Sequence, residues 1–411
     1  MSKKSPQLRF EGFTDDWEER KLSSGLREYT DRVIVEDDKE YYQISVRNNF
    51  GGITLRGSKM GNKIGRKRQA KINLTKYPQT LIFTRQTVEQ GGIGWVDKYC
   101  DGAIVTENMP TISLDTSVFS KYFLTNLFQT RIFYKNAILD NIEGGSAQIA
   151  IHESKFLSST LLFPNLDEQE KIGQFFKQLD DTIDLHQRKL DLLKEQKKGY
   201  LQKMFPKNGA KVPELRFAGF ADDWEERKLG EVATLSSSKR IHLSDYVTEG
   251  IPFYRGSEIS TGGITGNQEL FISQEKFDEI KEKYGVPSEG DILVTAVGTL
   301  GNLWKVDSRR FYYKDGNLIQ ISKMQVNSDY LLTYFTGGIG KKRLLDSAAG
   351  SNQKALTMVK MREITVDFPS EDEQKKIGAF FKSLDDTIAL HQRKLDLLKE
   401  QKKGFLQKMF V

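Results

Sequence analysis

The sequence predicts a duplicated α/β (α+β) fold, in which two globular domains are separated by two long helices packed as an antiparallel coiled coil with pseudo-two-fold symmetry. Two repeats carry this prediction. Residues 167–205 match residues 372–410 with five differences over 39 positions. Residues 6–22 match residues 213–229 at fourteen of seventeen positions. Long dissimilar segments lie between these matches, so the chain is a duplicated two-part unit and not a solenoid of short repeats.

The repeats divide the chain into four consecutive regions. In order these are a first globular domain (1–166, with the repeated opening segment 1–22), a first coiled-coil helix (167–205), a linker with a second globular domain (206–371, with the opening segment 213–229) and a second coiled-coil helix (372–411).

The two repeated helices carry a heptad pattern. Their apolar residues recur at alternating steps of four and three, which is typical of a coiled-coil seam. The predicted seam residues are Ile172, Phe176, Leu179, Ile183, Leu190, Leu193, Ile377, Phe381, Leu384, Ile388, Leu395 and Leu398. A helix of this length needs a long partner to bury its stripe, and the second copy supplies one. The alternative is two separate hairpins, each folding back on its own domain.

Both helix starts carry N-terminal signals. Asn165 and Ser370 each follow a proline and each precede, by three residues, an acid, Glu168 or Glu373. This spacing predicts a capping box at each helix.

The segments between the repeats mix strand and helix patterns in the same order. In the first, Thr80–Arg85 and Gly102–Glu107 are predicted strands, and Ser120–Ala137 is a predicted helix. In the second, Gly290–Val306 is a predicted strand, glycine turn and strand, and Ser328–Ala348 is a predicted helical pair with a glycine break. We therefore expect two copies of one α/β fold with divergent surfaces.

Composition favours a cytoplasmic protein with an anionic partner. The chain has 62 Lys and Arg against 56 Asp and Glu, which gives a net charge of +6. A mild positive charge is compatible with nucleic acid but does not establish it. A single cysteine fits a reducing compartment, and no apolar run reaches the roughly 20 residues that span a bilayer. The N-terminus has no apolar leader, so neither secretion nor a membrane is expected.

Signatures of catalysis are missing from the sequence. Gly340 and Lys341 fall short of a P-loop, because Phe335 occupies the first glycine position and Lys342 follows the lysine. The glycines at Gly91–Gly94 and Gly298–Gly301 do not form a dinucleotide-binding pattern, and tight turns between strands are expected there. No metal-ligand spacing of Cys or His is present.

The cationic stretch Arg56–Lys71 is the strongest candidate for contact with DNA. It has seven cations, three glycines and no acid, which suits a pliable loop that follows a phosphate backbone. A solvated surface loop is the alternative. The candidate DNA-binding residues of the first half are Gln43, Arg47, Asn48, Arg56, Lys59, Lys63, Arg66, Lys67, Arg68, Arg85 and Gln86. Among these, Arg85 is the predicted guanine reader, since it follows a strand end.

The second half is nearly neutral, so its candidates are local clusters and side chains able to contact base edges. These residues are Arg255, Ser257, Asn302, Lys305, Arg309, Arg310 and Asn352.

Taken together, the pattern resembles the specificity subunit of Type I restriction-modification systems, over essentially the whole chain. The motifs that carry the resemblance are the openings LRFEGFTDDWEERKL and LRFAGFADDWEERKL, the glycine turn GDILVTAVGTLGNLW, the late GSAQ and GSNQ, and the helix starts FPNLDEQEKIGQFF and FPSEDEQKKIGAFF.

The resemblance implies a recognition subunit that is not itself an enzyme. Its two globular domains would be target recognition domains for the two halves of a bipartite site in double-stranded DNA. The nearly identical coil ends would receive two methyltransferase (M) subunits and two restriction (R) subunits. No cofactor is then expected in this chain, and S-adenosylmethionine, ATP and Mg are expected in the partner subunits.

Two other classes of function stay open from the residues alone. One is a stand-alone DNA-modifying enzyme, which a methyl-transfer assay on the purified chain would detect. The other is a coiled-coil scaffold without a nucleic-acid role, which mobility shifts with duplex DNA would distinguish from a reader.

Overall fold

The chain forms two compact units, each built from two stretches of sequence. The computed structural model describes residues 5–64, 70–141, 150–207, 209–266, 269–350 and 354–411. Unit 1 consists of Met1–Gln187 with Lys394–Val411, and unit 2 consists of Arg188–Arg393. Each unit therefore contains part of both long helices.

Unit 1 combines short strands with helices. Its strands are β1 (Glu18–Lys21), β2 (Leu26–Tyr29), β3 (Asp31–Arg32), β4 (Glu40–Val46), β5 (Ile53–Met60), β6 (Ala70–Lys71), β7 (Thr80–Phe83), β8 (Ile93–Trp95), β9 (Ile104–Val105), β10 (Thr111–Leu114) and β11 (Thr160–Phe163). Its helices are α1 (Lys121–Leu127), α2 (Arg131–Phe133), α3 (Glu153–Ser158) and the first part of α4 (Leu166–Lys203).

Unit 2 has the same kinds of element in a related order. Its strands are β12 (Glu225–Lys228), β13 (Thr234–Ser236), β14 (Tyr246–Val247), β15 (Ile251–Tyr254), β16 (Ile259–Ser260), β17 (Gly263–Ile264), β18 (Phe271–Ile272), β19 (Ile292–Thr295), β20 (Leu303–Lys305), β21 (Tyr312–Tyr313), β22 (Leu318–Ser322) and β23 (Thr365–Phe368). Its helices are α5 (Leu229–Val232), α6 (Gln274–Tyr284), α7 (Ser328–Thr336), α8 (Gly338–Asp346), α9 (Met358–Arg362) and the first part of α10 (Glu371–Lys408).

A core sheet of the same topology lies in both units. Its strand order is β2-β10-β7-β8 in unit 1 and β13-β22-β19-β20 in unit 2, with antiparallel neighbours throughout. The edge pairs β1–β11 and β12–β23 are also equivalent. This agreement confirms the expectation of two copies of one α/β fold.

The core sheet is buried on both faces. Successive side chains of a strand point to opposite sides. In β7, Leu81 and Phe83 pack with the helices, whereas Ile82 packs in a second cluster with the outer sheet. In β19, Ile292 and Leu293 divide in the same way between two clusters. The double burial explains why both strands are continuous apolar runs.

The outer sheets of the two units differ. In unit 1 this sheet has the order β3-β6-β9-β4-β5, and in unit 2 the corresponding order is β14-β18-β15-β21, with β16-β17 as a separate hairpin. One feature is shared, because β4 pairs in parallel with β9 and β15 pairs in parallel with β21. The strand order of the two units thus differs in the outer layer and agrees in the core sheet.

Ser120–Ala137 is not one helix, contrary to the prediction. Helix α1 ends at Leu127, and Thr130 starts a new turn: its hydroxyl donates to the Leu127 carbonyl at 2.7 Å and accepts the Phe133 N–H at 3.1 Å. Apolar periodicity continues through this break, which is why the sequence did not reveal it. The predicted helical pair in unit 2 is confirmed as α7 and α8.

In unit 1, the start of α4 lies antiparallel to the end of α10. Phe175 packs edge-on against Phe405, with ring centroids 5.0 Å apart, and Lys402 Nζ lies 2.7 Å from Asp180 Oδ1. From the first contact to the second, the chain advances in α4 from Phe175 to Asp180 and goes back in α10 from Phe405 to Lys402, so the two helices are antiparallel.

In unit 2, the end of α4 pairs in the same way with the start of α10. Tyr200 packs against Phe380 at 5.1 Å, and Lys197 forms an ion pair with Asp385. Packing of the long helices against each other, rather than separate hairpins, is the arrangement in each unit.

The predicted seam residues are all buried or half-buried. Those that are buried are Ile172, Phe176, Leu190, Leu193, Ile377, Phe381, Leu395 and Leu398. Those that are half-buried are Leu179, Ile183, Leu384 and Ile388. In the part of the chain that the structure describes, no helix is both long enough and apolar enough to cross a membrane.

Candidate nucleic-acid interface

An arginine of the opening segment ties each domain to its long helix. In unit 1, Arg9 donates from Nε to Glu168 Oε1 at 2.6 Å and from Nη2 to Oε2 at 2.7 Å. The Glu168 side chain is fully buried, and this hydrogen-bonded contact raises the pKa of Arg9. Paired arginine and carboxylate forks of this kind fix orientation as well as charge.

Unit 2 repeats this contact with nearly the same geometry. Arg216 donates to the two carboxylate oxygens of Glu373 at 2.7 and 2.8 Å, and Glu373 is also fully buried. The hydrogen bond to Glu373 raises the pKa of Arg216.

The predicted capping boxes are half right. Asn165 Oδ1 and Ser370 Oγ accept the N–H groups of Glu168 and Glu373, as expected for N-caps. The two glutamates, however, turn toward the arginines of the opening segments and not back to the caps. Glu168 and Glu373 therefore bind an arginine of the opening segment that is distant in sequence. Each ion pair attaches its domain to the long helix.

Further contacts of the repeated segments occur in both copies. The matching pairs are Phe10–Phe175 with Phe217–Phe380, Lys171 over Phe13 with Lys376 over Phe220, and the Leu8 N–H to the Lys408 carbonyl with the Leu215 N–H to the Lys203 carbonyl. We call these contacts, together with Arg9–Glu168 and Arg216–Glu373, the framework. Each unit thus presents an equivalently built surface around its long helices.

Four exposed cations of the outer sheet of unit 1 and its adjoining turns have no ion partner among the described residues. Arg47, Arg56, Lys59 and Lys63 are all exposed. Among the described residues none of the four forms an ion pair, although acids are abundant in the chain. Cations that are not neutralised by the protein remain available to phosphate oxygens.

The polar candidates of unit 1 differ in availability. Gln43 is buried within β4, with 6% of its surface exposed. Asn48 Nδ2 donates to Gln90 Oε1 at 2.6 Å, which holds two loops together. Gln86 is exposed. Arg66, Lys67 and Arg68 lie outside the described residues.

The description of Arg56–Lys71 as a loop is wrong for its first part. Arg56 and Lys59 belong to β5, which pairs with β4 over its whole length. Lys63 ends a short helical turn, and Lys71 ends β6. Arg56 and Lys59 lie in a regular strand because β5 pairs with β4, which precedes it in the sequence.

Arg85, the predicted guanine reader, is engaged by an acid. Its Nε donates to Glu153 Oε2 at 2.8 Å, and Nη2 lies 2.5 Å from the same oxygen. His152 Nε2 approaches the other oxygen of Glu153 at 3.2 Å. Reading a base with Arg85 would require this contact to open, so its predicted role stays a prediction.

A cleft of about 530 Å³ lies beside Arg85, lined also by Glu28, Tyr29, Arg32 and Glu107. Burial, followed by the nearby charge of Glu153, raises the pKa of Glu28. The cleft offers carboxylate acceptors and guanidinium donors within one concave surface. Nothing in the sequence sets Glu28, Arg32 or Glu107 apart, since their approach depends on strands far apart in the chain.

Of the four cations predicted to bind DNA in the second half, Arg255, Lys305 and Arg309 form ion pairs within the protein. Arg255 Nη2 reaches Glu269 at 2.6 Å and Glu258 at 3.2 Å, and Lys305 Nζ donates to Asp329 at 2.6 Å.

Arg309 pairs with Asp307 at 2.7 Å while its guanidinium lies over the Trp304 ring. Asn302 Nδ2 donates to the Ile259 carbonyl at 3.1 Å, which supports a turn. Ser257 and Arg310 are exposed, and Asn352 lies outside the described residues.

Within the described residues, no group of three His, Cys, Asp or Glu side chains is arranged to hold a metal ion. The glycine stretches that sequence analysis assigned to turns do lie between strands. Gly91 and Gly298 adopt φ of +77° and +78°, in the left-handed region that favours glycine.

Comparison with known proteins gives the same family by several routes. The family model for the Type I restriction modification DNA specificity domain matches twice, at residues 15–195 and 221–400. The type I restriction enzyme MjaVIII specificity subunit from Methanocaldococcus jannaschii is 21% identical over 66% of this chain and 66% of its own length.

A putative type I restriction enzyme specificity subunit from Haemophilus influenzae is 30% identical over 39% of this chain and 41% of its own length. The chain thus aligns with about two thirds or less of the length of these curated relatives.

Solved structures share the fold at low sequence identity. A type I restriction-modification S subunit from M. genitalium aligns over 99% of both chains with a TM-score of 0.62 and 16% identity. A second solved structure addresses complex assembly and conformational transition of the type I R-M system. One of its chains aligns over 96% of this chain and 97% of its own length, with a TM-score of 0.54 and 17% identity. Together with the doubly matched family model, the duplicated fold shows that this chain belongs to the Type I restriction modification DNA specificity domain family.

Proposed function

We propose that this chain is the sequence-specific DNA-binding specificity subunit of a Type I restriction-modification complex. In this role it reads a bipartite, asymmetric site in double-stranded DNA and directs methylation and cleavage by partner subunits. One observation carries the proposal: the framework is built twice with the same contacts, whereas the outer sheets of the two units differ. Equal frameworks suit equal partners, and unequal outer sheets suit unequal half-sites.

The duplicated framework supports the proposed partner set of two M subunits and two R subunits. Arg9–Glu168 and Arg216–Glu373 fix each opening segment against its helix in the same way. Two copies of one methyltransferase subunit could therefore dock on one asymmetric chain. S-adenosylmethionine, ATP and Mg would then be bound by the partner subunits, and this chain would contribute recognition but no catalysis.

The unpaired cations of unit 1 favour a DNA reader over a coiled-coil scaffold. Exposed Arg and Lys side chains that no acid of the protein neutralises are available to phosphate oxygens, which a DNA reader needs and a scaffold does not. A stand-alone DNA-modifying enzyme is the other alternative, and a methyl-transfer assay on the purified chain, with no partner subunit present, should give no product.

Exchange of one outer region tests the proposal directly. Residues 23–166 are replaced by the corresponding segment of a relative, which leaves the opening segment and the repeated helical segments 167–205 and 372–410 unchanged. The host expresses this chain with its partner subunits, and its methylated sites are mapped by sequencing. We expect one half of the recognised site to change and the other half to stay.

The matched control replaces residues 230–371 and should change the opposite half. If either exchange altered both halves, the two units would not be independent readers. If the unmodified chain with its partners gave no sequence-specific methylation, the proposal itself would fail.

A further inference from the structure

We propose that the β4–β5 hairpin is the reading element of unit 1 and enters the major groove of the DNA, with Arg56 contacting a guanine. This inference rests on the proposed function and identifies the residue that sets specificity within it. A two-stranded β-ribbon fits the major groove, and arginine paired to guanine O6 and N7 is the commonest specific contact there.

The hairpin is the longest regular β-structure that the structure describes. Strand β5 runs for 8 residues and β4 for 7, paired from Val46 and Ile53 to Glu40 and Met60. Strand β5 lies at the edge of the outer sheet, so β4 is its only partner in that sheet. Apart from its start, where the Ile53 carbonyl accepts the Tyr99 hydroxyl at 2.9 Å, the outer edge of β5 has no strand partner among the described residues.

A β-bulge interrupts the pairing of β5 with β4 at Arg56. The pairing register shifts between Gln43 and Ile44, because Gln43 opposes Gly57 and Ile44 opposes Leu55. Arg56 is the extra residue, and Gly57 adopts φ of +125° to accommodate it. Bulges are found next to functional sites, where they direct a side chain away from the sheet. Space does not explain the glycine, since nothing lies within 4 Å of a Cβ built there.

Exposed apolar side chains accompany Arg56 on the hairpin. Tyr42 is 54% exposed and Met60 is 38% exposed. Large apolar side chains on a narrow ribbon lose little by meeting the base edges of a groove, where the thymine methyl group is an apolar contact. An edge strand that faces only solvent would need only polar side chains on its exposed surface.

The local charge favours DNA. Lys39 neutralises Glu36 at 2.8 Å, and Glu40 accepts the Ser58 hydroxyl at 2.5 Å. The neutral hydroxyl leaves Glu40 charged, so the described part of the hairpin and its neighbouring loop has the acids Asp37, Asp38 and Glu40 against four unpaired cations. The positive excess lies on the strand that carries Arg56.

Unit 2, as far as the structure describes it, has a different element at the equivalent position. Strand β15, the counterpart of β4, is followed by the hairpin of β16 and β17, with two residues in each strand. The neighbouring Arg255 is held by two acids, whereas Arg56 has no ion partner among the described residues. Two readers that use different elements would recognise different half-sites.

Protection of the sheet edge is the competing explanation, because cations on an edge strand discourage pairing with another chain. The two explanations differ in what they require of residue 56. Edge protection needs only a charge, which lysine also supplies. The planar, bidentate contact with guanine O6 and N7 that we propose uses the two parallel donors of the guanidinium group, and a lysine ammonium does not reproduce that geometry.

The test therefore compares Arg56→Lys with Lys59→Arg in the full chain assembled with its methyltransferase partner. Binding is measured on the cognate duplex and on duplexes that carry each base substitution in the unit 1 half-site, at several salt concentrations. Thermal unfolding of both variants confirms that they fold. We expect Arg56→Lys to reduce discrimination at one G·C position by roughly 10- to 100-fold while leaving the salt dependence unchanged. Lys59→Arg should leave discrimination as it is.

Several results would overturn the inference. Discrimination at every position would be unchanged in Arg56→Lys if the side chain served only to protect the edge. A uniform loss of affinity with a reduced salt slope would make Arg56 a phosphate contact. If instead the unsubstituted complex failed to discriminate among duplexes, the proposed function would fail before this inference was reached.

Discussion

Arg9 donates two hydrogen bonds to the buried carboxylate of Glu168, and this contact joins the opening segment of unit 1 to the long helix. We expect Glu168→Gln to destabilise unit 1 by about 1.5–3 kcal/mol, because charged hydrogen bonds are removed around a buried group. Hydrogen exchange followed by mass spectrometry should show faster exchange in unit 1.

The matched variant is Glu373→Gln, which removes the equivalent contact with Arg216. It should accelerate exchange in unit 2. Equal effects of each variant on both units would show that the two contacts do not act locally.

A second prediction separates two roles of Arg85. If Arg85 only stabilises the fold, both Arg85→Ala and Glu153→Gln should lower the free energy of unfolding, each by about 1.5–3 kcal/mol. If Arg85 also reads DNA, Glu153→Gln should release the guanidinium and strengthen binding of the assembled complex, while Arg85→Ala weakens it. Opposite signs in the binding assay would establish the reading role, and parallel losses would exclude it.

A third prediction concerns the binding of phosphate by the outer sheet of unit 1. Lys59→Ala combined with Lys63→Ala should weaken binding to cognate and scrambled duplexes by a similar factor. The slope of log affinity against log salt should fall by about 0.9 for each phosphate that the protein no longer neutralises. Lys194→Ala, on the exposed face of α4, serves as the control for removal of one charge. A change in sequence preference without a change in slope would contradict this assignment.

A fourth prediction concerns the seam. Phe176 is fully buried against Phe410, at a centroid distance of 5.9 Å, whereas Leu179 one turn later is half-buried. Phe176→Ala should cost about 3–5 kcal/mol. Leu179→Ala should cost less, because it removes less buried apolar surface. Urea unfolding measures both, and an equal effect would mean that the seam is packed uniformly.

Alkaline pH should affect the two units differently. In unit 2, burial raises the pKa of Tyr330 and Tyr334, and the Tyr334 hydroxyl donates to Asp367 Oδ2 at 2.7 Å. In unit 1 the equivalent positions are Phe123 and Leu127, which do not ionise.

A tyrosine whose folded pKa lies above its unfolded value, about 10, contributes stability that is fully present below pH 10 and is lost as the pH rises further. Unit 2 should therefore become sensitive to proteolysis above about pH 10 before unit 1 does. Tyr330→Phe combined with Tyr334→Phe should remove much of this pH dependence. Simultaneous unfolding of both units in the unsubstituted chain would argue against it.

Short-range pattern explains what the sequence predicted well. The long helices α4 and α10 follow from a heptad pattern that each helix carries by itself. The strand, glycine turn and strand at Gly290–Val306 likewise depend on neighbouring residues, and β19 and β20 confirm them. The repeats then make the duplication evident without knowledge of any contact.

Contacts between distant residues explain what the sequence missed. Charge counting selected Arg255, Lys305 and Arg85, but their partners Glu269, Asp329 and Glu153 lie 14, 24 and 68 residues away. Only the fold shows that these cations are engaged. Conversely, Arg56 looked like one cation among seven, and pairing of β5 with β4 sets it apart.

Each long helix belongs to both units, and this arrangement bears on how the gene can change. The stretch Leu185–Gly199 is identical, residue for residue, to Leu390–Gly404. Recombination between genes of this type within the corresponding DNA would join one outer sheet to another while every contact of the framework kept its partner. A cell could thereby acquire a new pairing of half-sites in a single genetic exchange.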